Sequence, residues 1–346
     1  VTELVALMET LAQAGVPPLY LVVTGLSRVP IVKYGTPQQI ERYVKPTISG
    51  EKKLCFAITE PNAGTNSFKM QTLAQPTDDG WVLNGQKVFI TGANEADAML
   101  VVARTQPFSA VEDRRQGLSL FVVDAKDPAI EKNPLNIAVI GEHQFQVFFN
   151  DVKLPKDALI GEEGKGVRYL FDGLNPERLI AAAMAVGIGD YALARGVEYA
   201  KQRAPFGQPI GSYQGLQHPM AHAKAQLEAA RLMMYDAARR FDAGENAGPG
   251  ANMAKFLASE AAVAAVDQVH LPQRLQAIER SAHDVGEHRR ERAPIAWFGQ
   301  RHVVQVLTDV EVRHVLPVWR RNRETVLDHT LPEARVVAQA RLVQRP

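Results

Sequence analysis

The chain has 346 residues, a formal net charge of +1, 46% hydrophobic and 22% charged residues. A balanced charge gives no overall field for nucleic acid or an anionic membrane, and this apolar share suits a globular core rather than a disordered or fibrous chain. The lone cysteine, Cys55, rules out a disulfide framework and predicts a reducing, cytoplasmic setting, and no uninterrupted apolar run is long enough to predict a membrane span.

Residues 1–50 read as a helical domain. Leu4, Val5, Met8, Leu11 and Ala12 share one helical face, and Gly15-Val16-Pro17-Pro18 ends it. A second helix is predicted from Leu19 to Tyr34. Gly35-Thr36-Pro37 then supplies an N-cap with proline at the first helical position. The N-terminus lacks the basic start and cleavage site of a signal peptide.

From Gly50 the apolar period drops toward two, and residues 51–157 read as a β domain. Asp79-Gly80 and Asn84-Gly85 separate Lys69–Ala74, Trp81–Leu83 and Lys87–Thr91, which predicts tight antiparallel hairpins. Ala98–Arg104, Leu118–Asp124, Ile137–Ile140 and Gln146–Phe149 read as further strands. Strands do not alternate with long helices, so an antiparallel barrel or sandwich is expected rather than a parallel Rossmann sheet. Cys55, inside a strand-like run, reads as a small buried hydrophobe.

Residues 158–268 return to helix. Three long segments, Pro176–Arg203, Tyr213–Ala243 and Gly250–Gln268, predict a bundle. The first begins at Leu174-Asn175-Pro176-Glu177-Arg178. There Asn175 suits an N-cap, Pro176 the first helical position, and Glu177 the positive end of the helix dipole. The fold class is therefore α+β: a helical domain, a central antiparallel β-barrel or sandwich, and a C-terminal helical bundle.

Residues 269–346 differ in composition. They hold 13 Arg and no Lys, with six of the nine His, whereas residues 1–268 hold 12 Arg and 14 Lys. Val303, Val304, Val306, Leu307, Val310 and Val312 keep a helical pattern. Three origins are open: a frameshifted reading of GC-rich DNA, a diverged helix, or an acquired basic segment. His283 and His288 lack a cysteine cluster, so no metal site is expected.

Three stretches carry chemistry. Leu54–Asn66, LCFAITEPNAGTN, runs from a strand into a turn that presents backbone N–H groups and hydroxyls. Asn84–Thr91, NGQKVFIT, ends a strand on an aromatic, an aliphatic and a hydroxyl residue. Tyr199–Ile210, YAKQRAPFGQPI, precedes Gln214. Alone, each fits an ordinary element end. Together and in this order, over about residues 3–268, they resemble the acyl-CoA dehydrogenase family. The chain then starts inside the pattern, as expected if the family's first helices precede residue 1.

The resemblance implies a FAD-dependent conversion of acyl-CoA to trans-2-enoyl-CoA. It implies Phe56, Ile58 and Thr59 along the flavin, Phe89, Ile90 and Thr91 over its face and near N5, and Thr65 and Asn66 at flavin or substrate phosphates. Phe89 stands where the family more often has Trp, Thr65 where it has Ser, and Asn66 where it has Asp. Arg178 matches a substrate-binding arginine. Arg203, Phe206 and Gln214 match positions that hold the FAD of a neighbouring subunit, which implies a homodimer or homotetramer. An electron-transferring flavoprotein is the implied electron acceptor.

No Tyr-Glu-Gly-Thr-like segment stands near the C-terminus. The isovaleryl-CoA and long-chain branches put the α-proton base just before the bundle-helix arginine, where this chain has Glu177. The family's Gly-Gly-x-Gly turn after the third bundle helix is missing, because Val269–Gln273 reads VHLPQ. That departure keeps an alternative in view: a non-catalytic or partner-dependent member, a flavin oxidase, or a DNA-associated flavoprotein using Trp319–Arg323. A charge run of that kind is usually a solvated face, so nucleic acid is not an expected partner.

Overall fold

The computed structural model describes residues 1–17, 19–137, 143–205 and 207–284, with side chains for all of these except 19, 20 and 270–284. The N-terminal helices are α1 (Thr2–Gln13), α2 (Leu19–Tyr34), α3 (Pro37–Gln39) and α4 (Lys45–Ile48), with a π-helical turn at Ile40–Val44 between the last two. Thr36 caps α3 as its sequence predicts. Its hydroxyl accepts from the Gln39 N–H, and the Gln39 side chain returns a bond to the Thr36 N–H, forming a capping box.

The β domain is one eight-stranded sheet built from β1 (Leu54–Ala57), β2 (Leu73–Thr77), β3 (Gly80–Thr91), β4 (Ala98–Arg104), β5 (Leu118–Asp124), β6 (Ile130–Leu135), β7 (Gln144–Pro155) and β8 (Leu159–Ile160). Its order is β6-β7-β3-β2-β4-β5-β8, with β1 beside β4. Antiparallel ladders dominate, while β1, and one residue of β2, run parallel to β4. Strands β1, β4 and β5 are buried on both faces. Cys55, Met99, Val101, Phe121 and Val123 pack inward against Leu83, Ile90, Val147 and Phe149. Phe56, Leu100, Val102, Leu120 and Val122 pack outward against Ile31, Tyr169 and Leu170 of the helices.

One strand expectation is corrected. Asp79-Gly80 does join β2 to β3 as a hairpin, but Asn84-Gly85 lies inside the continuous β3. There the ladder to β7 slips between Leu83 and Gly85, and Asn84 exchanges two bonds with Asp151. Gly85 has φ +141°, and an added Cβ would stand 2.7 Å from the Thr72 Cα, so the glycine serves a bulge, not a turn. The strand expected at Ile137–Ile140 lies outside the described residues beyond Ile137, and β6 is a further strand ahead of it.

The bundle consists of α5 (Gly166–Gln202), α6 (Gln214–Asp242) and α7 (Gly248–Asp284). Among the described residues, α5 is the one helix long and apolar enough to cross a membrane by composition, yet half of its most apolar window is buried in the protein. Leu179, Ile180, Ala183 and Val186 of α5 meet Val5 and Met8 of α1, Ala230 and Met234 of α6, and Ala251, Ala254 and Ala258 of α7. Each fully buried Leu, Ile or Val there stabilises by roughly 1.5–3 kcal/mol. A buried polar network ties α1 to the bundle. Glu9 accepts from Arg231 at 2.5 Å and Tyr235 at 2.8 Å, and Arg231 also bonds Asp190 and Glu228.

Helix boundaries bring two further corrections. Helix α5 begins ten residues before Pro176, so Asn175 is not an N-cap and Glu177 is not in a first turn. A proline inside a helix costs roughly 3 kcal/mol through its missing N–H and its clash with the carbonyl four residues back, here Asp172. Burial of Leu170, with the Tyr169 ring stacked 3.8 Å from Tyr34, outweighs that cost and holds the earlier turns helical. Gly166 allows the helix start to lie against the sheet, since a Cβ would stand 2.6 Å from the Leu118 carbonyl oxygen. At the other end, α7 runs past Gln268 to Asp284, across the compositional boundary. Phe206, His288 and Trp319–Arg323 lie outside the described residues.

Candidate active site

The Leu54–Asn66 stretch leaves the sheet after β1 and turns at Glu60–Ala63, whose backbones exchange two hydrogen bonds. Glu60 is buried at the base of this turn. Its carboxylate accepts from the Gln71 N–H at 2.6 Å, the Thr72 N–H at 3.0 Å and Lys87 Nζ at 2.9 Å. Lys87 is fully buried and also donates to the Ile58 carbonyl at 2.9 Å. Burial pulls the Lys87 ammonium down to about 8, against the opposing pull of the Glu60 charge. Burial pushes the Glu60 carboxyl up, but the Lys87 charge and the N–H donors outweigh it and leave the group below its ordinary value. This pair bolts the first chemical stretch to the second. Thr59 and Ile58 are half-buried above it, Phe56 is buried in the outward core, Asn66 is half-buried and Thr65 is exposed.

One residue after Lys87 the Val88 N–H donates to the Thr59 carbonyl at 2.8 Å. The β3–β7 ladder slips again between Lys87 and Ile90. In that bulge Phe89 takes φ +60° while its side chain stays 53% exposed. A left-handed backbone at a bulky residue costs roughly 1–2 kcal/mol, and an exposed ring recovers little of it by packing. Strain that turns an aromatic face outward fits a ring-stacking ligand. Ile90 returns to the core at 2% exposure, and Thr91 is half-buried opposite Gln144. The accessible part of this set is the outward Phe89 ring with half-buried Ile58, Thr59 and Thr91, whereas Phe56 and Ile90 are buried in the cores on opposite faces of the sheet.

Helix α5 supplies the other wall. Leu174, like Ile58 and Phe68, packs against the apolar cluster that contains Phe56, so α5 and the first stretch border one core. Asn175 Oδ1 accepts from Arg178 at 2.9 Å, and the Arg178 guanidinium lies 5.8 Å from the Phe171 ring centre. Phe171 in turn meets Phe68 with centroids 6.5 Å apart. Burial pushes the Glu177 carboxyl above its ordinary value, although the Lys255 and Arg178 charges pull it down.

Arg203 and Gln214 stand elsewhere. Arg203 follows the last turn of α5 and Gln214 opens α6. From Glu177 to Arg203 the helical rise amounts to about 39 Å, so one chain does not bring these two sets to one small ligand. Between α5 and α6 near that end lies an apolar groove of about 630 Å³ lined by Leu193, Val197, Leu216 and Met220. Among the described residues no group of three His, Cys, Asp or Glu gathers as a metal site.

Glu60, Lys87, Phe68 and Phe171 escape a reading by local pattern. For Lys87 a signal is present, since it takes an inward position in a strand whose other inward residues, Leu83 and Ile90, are apolar.

Residues 55–152 match the family model described as acyl-CoA dehydrogenase, middle domain, and residues 164–271 match acyl-CoA dehydrogenase, C-terminal domain. Acyl-CoA dehydrogenase FadE12 of Mycobacterium tuberculosis (strain ATCC 25618 / H37Rv) is 43% identical over 270 residues, covering 77% of this chain and 69% of that protein. The CarC subunit of the caffeyl-CoA reductase-Etf complex of Acetobacterium woodii is 38% identical over 257 residues, 73% of this chain and 67% of that one. Among solved structures, PigA with FAD and proline superposes with a TM-score of 0.72 at 29% identity, over 77% of this chain and 70% of that one.

Proposed function

This chain belongs to the acyl-CoA dehydrogenase family, and from that premise we propose that it converts an acyl-CoA to the trans-2-enoyl-CoA with Glu177 as the α-proton base. It is an oxidoreductase acting on CH–CH bonds, and FAD is its cofactor. When bound, FAD supplies the acceptor for the β-hydride. The Phe89 ring would stack on the cofactor, the Thr59 and Thr91 hydroxyls would bond its edge and Ile58 would exclude water from it, while Phe56 and Ile90, buried in the two cores, would fix the strands that carry these residues. Thr65 and Asn66 take phosphate or substrate contacts, and Arg178 draws the anionic end of the thioester.

The observation that supports this reading is that Leu174, Ile58 and Phe68 all pack against the apolar cluster that contains Phe56, so the LNPER turn and the flavin-type stretch border one core. Glu177 then receives the α-proton on a carboxylate oxygen. Its raised pKa suits a base, since proton affinity grows with desolvation. Arg203, Phe206 and Gln214 hold the cofactor of a neighbouring subunit in a homodimer or homotetramer. The separation of Arg203 from Glu177 along α5 supports that division. The likeness to a subunit named for an Etf complex supports an electron-transferring flavoprotein as acceptor.

The test is anaerobic addition of an acyl-CoA panel, from short to long and branched chains, to the FAD-loaded protein. Bleaching of the flavin is expected with at least one thioester. Glu177→Gln should keep bound flavin and lose bleaching. Turnover retained by that variant rules out the assignment of the base.

A further inference from the structure

Arg104 ends β4 and is 1% exposed, yet among the described residues none of its hydrogen bonds goes to a carboxylate. Its guanidinium instead donates to four main-chain carbonyls on two loops. On one loop these are Met70 (from Nε, 2.9 Å) and Phe68 (from Nη2, 2.6 Å). On the other they are Gln116 (from Nη1, 3.0 Å) and Arg114 (from Nη2, 2.9 Å). The Arg104 main-chain N–H adds a bond to the Thr72 carbonyl at 2.8 Å, and the Phe108 ring lies 5.0 Å from the guanidinium carbon.

The clamped segment matters because of what it holds. Thr65–Met70 has no strand pairing. Its own bonds are short turns, Lys69 N–H to Asn66, Met70 N–H to Ser67 and the Ser67 hydroxyl to Gly64. Such turns set local shape but not orientation relative to the sheet. That orientation comes from outside the segment: Glu60 takes the Gln71 and Thr72 N–H groups just after it and Met70 is buried in the core, while Arg104 holds the carbonyls of Phe68 and Met70. The Phe68 ring then meets Phe171 on α5, beneath the Arg178 guanidinium. Only a planar fork can satisfy four divergent carbonyls at once. An ammonium offers its donors from one point.

We infer that Arg104 is a positioning residue for thioester binding: it sets the pose of Thr65–Met70 and, through Phe68 against Phe171, of the wall that carries Arg178. This rests on the function proposed above. The charge of Arg104 plays no direct part, because the guanidinium is sealed beneath the loop.

The test measures affinity of the FAD-loaded protein for a non-reactive CoA thioether by calorimetry, with flavin stoichiometry and kinetics alongside. Arg104→Lys is expected to weaken binding about tenfold and raise KM to match, with kcat and flavin stoichiometry nearly unchanged, as for loss of one well-oriented polar contact. Phe171→Ala, at a position 37% exposed and so tolerant of truncation, should weaken binding similarly. The double variant should be no weaker than the worse single one, since both act on one wall. Binding by Arg104→Lys within about twofold of the parent overturns the inference. Should Arg104→Lys not fold, Phe171→Ala decides alone: parent-like binding overturns the inference and tenfold loss supports it. A parent that binds no thioether overturns the proposed function and this inference with it, whereas a binding parent with equally tight variants overturns only the inference.

Discussion

Replacing Lys87 with methionine tests the joint between the two flavin-type stretches. The change keeps the aliphatic stem and removes the ammonium, which is fully buried and bonded to Glu60 and to the Ile58 carbonyl. Breaking one side of a buried ion pair costs roughly 3–5 kcal/mol, because the remaining charge stays desolvated. Glu60 keeps its bonds from Gln71 and Thr72, which favours the lower end, while the orphaned Ile58 carbonyl adds about 1 kcal/mol. The expected loss is therefore about 3–4 kcal/mol, a large share of the roughly 5–15 kcal/mol that holds a domain folded. Urea unfolding should show a lower midpoint at unchanged slope. Flavin affinity should fall too, because Ile58 and Thr59 lose their anchor. Adding Glu60→Gln should recover part of the loss, since the stranded charge is gone. A Lys87→Met cost below about 1 kcal/mol, or a double variant whose cost equals the sum of the singles, refutes the reasoning.

Other outcomes follow from the same structure. Glu177→Gln should lower kcat by roughly a hundredfold to ten-thousandfold, the range for removing a general base. In the parent, kcat/KM should fall with acid on a limb above the ordinary carboxylate value of 4.5, because burial raises Glu177 and only its ionised form accepts the proton. The same raised pKa favours the folded state below the unfolded value, and that favour is lost as pH rises through the folded one. Thermal melting of Glu177→Gln should accordingly match or exceed the parent at neutral pH, and a clear drop there contradicts a desolvated carboxylate. Phe89→Gly should relieve roughly 1–2 kcal/mol of backbone strain and yet weaken flavin binding, read by unfolding and by flavin titration on one sample. Gly187→Ala places a Cβ 2.6 Å from both the Ala12 Cβ and the Glu9 carbonyl oxygen, and should destabilise by about 1–3 kcal/mol, measured by urea midpoint.

Much of this protein is legible in local pattern. The α2 span, the Thr36 capping box, the Asp79-Gly80 hairpin and the core strands β4 and β5 all follow from spacing and turn chemistry, since short-range geometry decides them. Phe56, Ile58, Thr59, Phe89 and Thr91 are different: local pattern gives them only ordinary element ends, and they are singled out as a group by the resemblance of the ordered stretches to a family pattern.

Tertiary packing decided what local pattern gets wrong or leaves open. Asn175-Pro176 has every mark of a helix start, but burial of Leu170 and Tyr169 against the sheet carries α5 through it. That moves Glu177 from a dipole-stabilised end to a desolvated mid-helix position and turns its pKa upward. Asn84-Gly85 has every mark of a hairpin turn, but β7 pairs on both sides of it and leaves a bulge. Glu60 with Lys87, and Arg104 with its four carbonyls, join residues 10 to 36 positions apart. Such charges can be buried only where the fold supplies all their partners at once, and no window of neighbouring residues contains that set.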